Sequence, residues 1–205
     1  MVWHSARHFK FFDPDIKVVA VLHPHFYDYW GMQLQGYAER EGIDLTLAKG
    51  GSSRIKSVVS GLEVAVDVAA KHGGSAQDAR VFIHDGARPF ITTRMLKDSV
   101  KMVGKGTGAV PVVPVTDSLR ERREDTTMTV DRSRFLAVQT PQVFMLDDIM
   151  RAYRLLNDEE RLTDDASVAE KAGLRINTYD GDNRNIKITN PIDFIIAEAI
   201  LAHNE

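Results

Sequence analysis

Four stretches of this chain gather side chains able to grip an anion. They are Gly50-Gly51-Ser52-Ser53-Arg54 with Ser57, His84-Asp85-Gly86-Ala87-Arg88, Arg132 with its neighbours, and Asn185-Ile186-Lys187. Arg54, Arg88, Arg132 and Lys187 each stand beside Gly, Ser, Thr or Asn, a combination suited to binding phosphorylated small molecules through side chains and backbone amides. Taken singly, each is more often a solvated surface cation. Asp85 follows an apolar run, Val81-Phe82-Ile83, and so falls where a strand ends. In open α/β sheets ligands bind beyond the carboxyl ends of strands. Gly86 and Ala87 let a ligand approach the backbone, and Pro89 stops the strand. The glycine pair at 50 and 51 offers free N–H groups ahead of a helix, although a loop with a serine N-cap explains it equally well. His23 and His25 are spaced like metal ligands but have no third partner close by in sequence.

The elements that must position these groups alternate. The spacing predicts a helix over residues 2–12 with Val2, Ala6 and Phe9 on one face, a central parallel strand at Ile16–Leu22, a helix at Phe26–Arg40 and a strand at Leu45–Ala48. A clear helix carries Ile55, Val58, Val59, Leu62, Val66 and Ala69, closed by His72-Gly73-Gly74. Val81–Ile83 reads as a central strand buried on both faces of a parallel sheet. A helix follows at Thr93–Val103, then a strand at Ala109–Val115 whose two prolines should interrupt it or push it to an edge. Residues 118–138 read as a two-stranded arm, too thin to stand alone and therefore expected to pack on something. Helices at Asp147–Leu156 and from an N-cap at Thr163, a strand at Leu174–Tyr179, and a last helix capped by Asn190-Pro191 complete the chain. Ile192, Ile195, Ile196, Ala199 and Ile200 should be the buried stripe of that last helix. The class is α/β, a mostly parallel sheet with helices on both faces.

Composition narrows the function. At 205 residues with no marked boundary the chain is one domain, and 43% hydrophobic with 27% charged residues is ordinary globular content. A net charge of −3 without a basic run argues against nucleic acid. There is no cysteine, which excludes disulfides, thiolate nucleophiles and cysteine metal sites. No run approaches a membrane span and no signal peptide is visible, so the expected setting is cytoplasmic.

The order of the motifs says more. GGSSRIKSVVSGL, IHDGARPF, PVTDSLR, VDRSRF, QTPQVF, LTDDASV and NIKITNP together resemble the 2-C-methyl-D-erythritol 4-phosphate cytidylyltransferase family, from about Trp3 to Leu201. The resemblance implies a Rossmann-like nucleotidyltransferase domain, working as a homodimer with Mg2+, that transfers CMP from CTP to a sugar-alcohol phosphate. It implies that Gly50, Gly51 and Ser57 meet the cytosine or ribose with Arg54 nearby, and that Asp85 and Ala87 sit beside the ribose and metal with Arg88 behind them. Lys187 would contact the phosphates where the bond forms, and Thr140 and Thr163 would bind the acceptor. Ser118, where better-known members carry Thr, and Arg132 would reach a partner's site on the 118–138 arm. The family opens with an apolar strand, a Gly-rich loop carrying an Arg, and a Pro-Lys-Gln turn, whereas this chain starts at the family's first helix (VWHSA). On that resemblance the chain is expected to be N-terminally incomplete and impaired in turnover. A ribitol 5-phosphate cytidylyltransferase shares HD-x-x-RPF and QTPQ but tends to carry Gly before the Gln, where Ala137-Val138 stand here. A non-catalytic dimeric remnant of the fold is the alternative from another class.

Overall fold

The computed structural model describes residues 1–156 and 162–203. Helix α1 (Val2–Phe12) leads to strand β1 (Lys17–Leu22), helix α2 (Tyr27–Glu41), β2 (Asp44–Lys49), α3 (Arg54–Lys71), β3 (Arg80–Ile83) and α4 (Thr93–Met102). Then come β4 (Thr107–Pro114), the hairpin β5 (Leu119–Arg122) and β6 (Thr127–Val130), β7 (Leu136–Val138), β8 (Gln142–Met145), α5 (Leu146–Arg154), α6 (Asp165–Lys171), β9 (Arg175–Asp180) and α7 (Pro191–Ala202). Among the described residues no helix is long and apolar enough to cross a membrane.

The fold is α/β, mostly parallel in strand direction. β1 and β2 form a parallel pair, and β4 runs parallel to β9. β8 lies antiparallel between β3 and β4, so β3, β4 and β9 point one way. Alternation along the strands divides the core. Val81 and Ile83 of β3 and Phe144 of β8 join Leu62 of α3, Ile149 of α5 and Val168 of α6 on one face. Phe82 and Val143 turn the other way, where Phe9 of α1 and Met95 and Leu96 of α4 cover them.

Several local expectations change. Among the described residues β3 is not a central parallel strand: it ends its sheet and pairs only with β8, antiparallel, and Val81–Ile83 are half-buried. Among the same residues β1 pairs with β2 alone. An apolar run marks burial but carries no information on the direction or number of its neighbours. β4, for which its prolines suggested an edge, is the most connected strand, and they interrupt it as the chemistry requires. One side of β4 pairs with β8 at Ala109 and with β7 from Val112, and the changeover falls around Pro111. The Pro111 carbonyl accepts from the Gln139 N–H at 2.8 Å on that side, so its missing donor faces the junction. Leu136–Val138, read as part of the arm, is β7 of the main sheet, which leaves β5 and β6 as a free-standing hairpin.

Helix ends show similar shifts. The cap of α6 is Asp164 rather than Thr163, because the Asp164 carboxylate accepts from the Ser167 N–H at 3.0 Å while Ser167 Oγ returns to the Asp164 N–H. α7 starts at Asn190-Pro191 as expected, but its stripe is rotated. Ala197 is buried with Phe90 and Ile188, whereas Ile192, Ile195 and Ile196 are exposed. A helix apolar nearly all round gives its sequence no preferred face.

At Gly108 on β4 the Phe144 ring approaches so closely that a Cβ would stand 2.3 Å from its Cε1 and 3.0 Å from Ile176 Cδ1. Gly108→Ala should therefore cost about 1–3 kcal/mol as overpacking. Thermal unfolding measures it, and an unchanged melting temperature would show that the ring moves aside freely.

Candidate active site

The strand end of β3 gathers the charge. Lys187 Nζ lies 3.0 Å from Asp85 Oδ2, and Arg88 Nε lies 3.5 Å from the same oxygen, an ion pair without hydrogen-bond geometry. The Asp85 side chain is 18% exposed, and Lys187 at 46% reaches it from the solvent side. Burial alone would raise the Asp85 pKa; the bond and charge of Lys187, then Arg88 and Arg54, outweigh it and hold the carboxyl below its ordinary range.

Behind this carboxylate stands a relay that sequence reasoning missed. The Arg88 carbonyl can only accept, so His84 Nε2, 2.9 Å away, carries the proton and Nδ1 is left as an acceptor. Thr140 Oγ1 donates to that Nδ1 at 3.0 Å and accepts from the Asp85 N–H at 3.1 Å. Thr140 is 5% exposed. Its hydroxyl therefore has both roles filled within the protein and sets the backbone at Asp85. Asn185, fully buried, donates from Nδ2 to the Thr140 carbonyl at 2.9 Å and accepts at its own carbonyl from Arg88 at 2.8 Å. The Ile188 N–H donates to the Ala87 carbonyl at 2.9 Å. HDGARPF, QTPQ and NIKITNP thus meet as one hydrogen-bonded unit, and the polar residues set among apolar ones in those motifs were the available signal.

In the glycine loop, the Gly50 N–H donates to the Leu22 carbonyl at 2.7 Å, and the Gly51 N–H to Ser57 Oγ at 3.1 Å. A Cβ at Gly51 would stand 2.3 Å from Lys56 Cβ, so the loop lies tight against the first turn of α3. Ser53 caps that helix, accepting from the Lys56 N–H. Arg54, expected beside a nucleotide, places its fork on the buried carboxylate of Asp165, with contacts of 2.7 and 3.3 Å. It remains within electrostatic reach of Asp85. Thr163 is exposed just ahead of α6.

Ser118 and Arg132 are not brought to this cluster within one chain. Both are exposed; Arg132 donates to the Thr116 carbonyl and lines a cavity of about 550 Å³ with Pro114, Phe135 and Leu136. His23 Nδ1 accepts from the His25 N–H, and the described residues hold no group of three metal-type ligands. For Mg2+ the available donor is Asp85. Lys187 and Arg88 flank its Oδ2 and would compete with a metal there, so Mg2+ at this cluster would depend on substrate phosphates and water beside the one carboxylate.

Desolvation, opposed in part by the bonds to Arg88 and Thr140, pushes His84 down to about 4. Between the ordinary value near 6.5 and about 4 the unfolded chain binds a proton that the native ring refuses. Stability should thus be full above pH 6.5 and fall with pH through that window, by up to about 3 kcal/mol. Denaturant titrations from pH 7 to 4 without divalent metal measure this, and His84→Gln should flatten the slope in that window. An equal slope in both proteins would assign the acid sensitivity elsewhere.

Known proteins resemble this chain along nearly its whole length. The family model for 2-C-methyl-D-erythritol 4-phosphate cytidylyltransferase (IspD) matches residues 12–203, which include every residue of the cluster. A protein of that name from Azobacteroides pseudotrichonymphae genomovar. CFP2 is 36% identical over 202 residues, covering 98% of this chain and 85% of the relative. The bifunctional enzyme IspD/IspF of Bradyrhizobium sp. (strain BTAi1) is 37% identical over 194 residues, 92% of this chain and 46% of that longer protein. Among solved structures, a 4-diphosphocytidyl-2C-methyl-D-erythritol synthase superposes with a TM-score of 0.80 at 27% identity, covering 98% of this chain and 87% of the other. The 2-C-methyl-D-erythritol 4-phosphate cytidylyltransferase of Thermus thermophilus gives 0.70 at 25% identity, covering 96% and 88%. Since the match runs through the glycine loop, the Asp85 cluster and the Lys187 segment alike, the chain belongs to the 2-C-methyl-D-erythritol 4-phosphate cytidylyltransferase family.

Proposed function

We propose that the chain transfers the cytidylyl group of CTP to 2-C-methyl-D-erythritol 4-phosphate. The observation that carries this reading is the pairing of Asp85 with Lys187 and Arg88 at the strand end. A phosphate oxygen of the acceptor attacks the α-phosphorus of CTP, a new P–O bond forms, and the bond to the bridging oxygen breaks to release pyrophosphate. The attacking phosphate is already an anion, so no base must be supplied. Positioning and charge neutralisation carry the rate. Gly50, Gly51 and Ser57 form the cleft for the nucleoside, and Ala87 borders it on the Asp85 side. Lys187 neutralises charge at the reacting phosphorus, and Arg88 keeps Asp85 ionised. Bound Mg2+, with Asp85 as its protein ligand, would screen the triphosphate. Thr163 faces the acceptor, and Thr140 contributes by fixing Asp85. The relatives' names favour this acceptor over ribitol 5-phosphate.

Pyrophosphate release under single-turnover conditions, with protein in excess over CTP, tests the reading and also registers slow chemistry. Release should require CTP, Mg2+ and methylerythritol phosphate, and equal release with ribitol 5-phosphate would overturn the choice of acceptor. Lys187→Ala should slow the step by on the order of 10²–10³, as for loss of one preorganised donor to developing charge. A rate unchanged by that substitution would make Lys187 a surface cation.

We also propose that the site is completed by a second subunit. The hairpin of β5 and β6 is marginal alone, and exposed Met128, Phe135 and Leu136 flank Arg132 along this part of the chain. Arg132→Ala would then spoil the partner's site and Lys187→Ala the subunit's own. Co-refolding the two inactive variants should restore roughly a quarter of all sites, since about half the dimers are mixed and one site in each is intact. Mixed dimers, verified by tagged pull-down, that stay inactive would place Arg132 in its own chain's site.

A further inference from the structure

The polar groups at the start of α6 are tied to three separate elements. Asp165, the first residue of the helix, is fully buried. It receives both arms of the Arg54 fork from the first residue of α3, and the Tyr153 hydroxyl of α5 donates to its Oδ1 at 2.5 Å. The neighbouring turn is held from β8 by Gln142, which donates from Nε2 to Asp164 at 2.8 Å and accepts at Oε1 from the Ala166 N–H at 2.7 Å. Thr163, exposed, is the residue these ties leave pointing outward.

The nucleoside-side loop does not need Arg54 for its shape. Gly50 is held by the Leu22 carbonyl, Gly51 by Ser57, and Ser57 by the Ser53 carbonyl at 2.8 Å. The side that gains from the Arg54–Asp165 pair is therefore α6. A planar fork on a carboxylate fixes distance and angle together, and the Tyr153 bond fixes the remaining rotation.

We infer that Arg54, Asp165 and Tyr153 form a positioning clamp that holds Thr163 at a set distance from the nucleoside loop, so that they act on acceptor binding while touching neither substrate. This rests on the reading of Thr163 as an acceptor ligand. Burial alone would lower the Arg54 pKa; the bond and charge of Asp165 outweigh it and raise it, so the fork stays charged at any working pH.

The test uses the full chain and two variants, Asp165→Asn and Tyr153→Phe, the second being gentler should the first fail to fold. Two measurements are made. Amide exchange followed by mass spectrometry should quicken at residues 163–168 in both variants while β4 and β9 keep their protection. In kinetics with each substrate varied, KM for methylerythritol phosphate should rise about tenfold in Asp165→Asn and two- to fivefold in Tyr153→Phe, each more than KM for CTP. Combining either with Thr163→Val should add little to the acceptor KM of Thr163→Val alone, since the clamp acts through that residue. Unchanged exchange at 163–168, or acceptor effects that simply add to those of Thr163→Val, would overturn the clamp. If the parent protein shows no CTP-dependent release, the functional reading fails instead, and the exchange measurement still decides whether the clamp exists.

Discussion

The site depends on keeping one carboxylate ionised where little water reaches it. An anion at the end of a strand loses hydration and would pick up a proton unless neighbouring charge prevents it. Lys187 and Arg88 supply that charge from two distant stretches of chain, so the 181–190 loop and the strand-end loop must meet for either to be stable. The backbone bond from the Ile188 N–H to the Ala87 carbonyl, and the bond from the Arg88 guanidinium to the Asn185 carbonyl, are the structural record of that requirement. At Asp85 the neighbouring charges more than offset the desolvation, so the pairing favours the folded, ionised form. Its value lies in holding charge ready for a substrate that brings several negative charges of its own.

What the sequence made legible follows from the type of signal. Apolar periodicity located α3 and its buried face, and a cap residue followed by proline located the start of α7, because both signals are local. Asp85 and Arg88 could be named because they follow a strand and Lys187 because it is a cation set among Asn and Thr, and the motif order pointed to the family. Pairing partners were not legible. Nothing in Arg54 and Asp165, 111 residues apart, announces that they meet. Thr140 read as a residue able to face a ligand, yet its hydroxyl is taken by His84 and Asp85, a fact that only the fold reveals. The same holds for the rotation of α7, where too many apolar residues offered too many faces.

Buried polar side chains recur at the joints of this molecule, and they share a function. Asn185 donates from Nδ2 to the Thr140 carbonyl, Gln142 bridges β8 to α6 through both its Nε2 and its Oε1, and Gln139 donates to the Asp182 carbonyl at 2.9 Å while accepting from the Asp182 N–H. An amide that must satisfy both a donor and an acceptor tolerates only one register of the loops it joins. Hydrophobic packing could fill the same space in several ways, whereas these bonds select one.

Among the described residues the strands fall into a parallel pair, a five-stranded sheet and the β5–β6 hairpin, and side chains from the helices pack on the first two. Val21 of the small plate lies against Gly61 of α3, and Phe82 of the large one against Phe9 of α1. The glycine loop follows β2 on the small plate, and Asp85 follows β3 on the large one. The two walls of the proposed cleft therefore follow strands of two different sheets, and helix packing holds them in place.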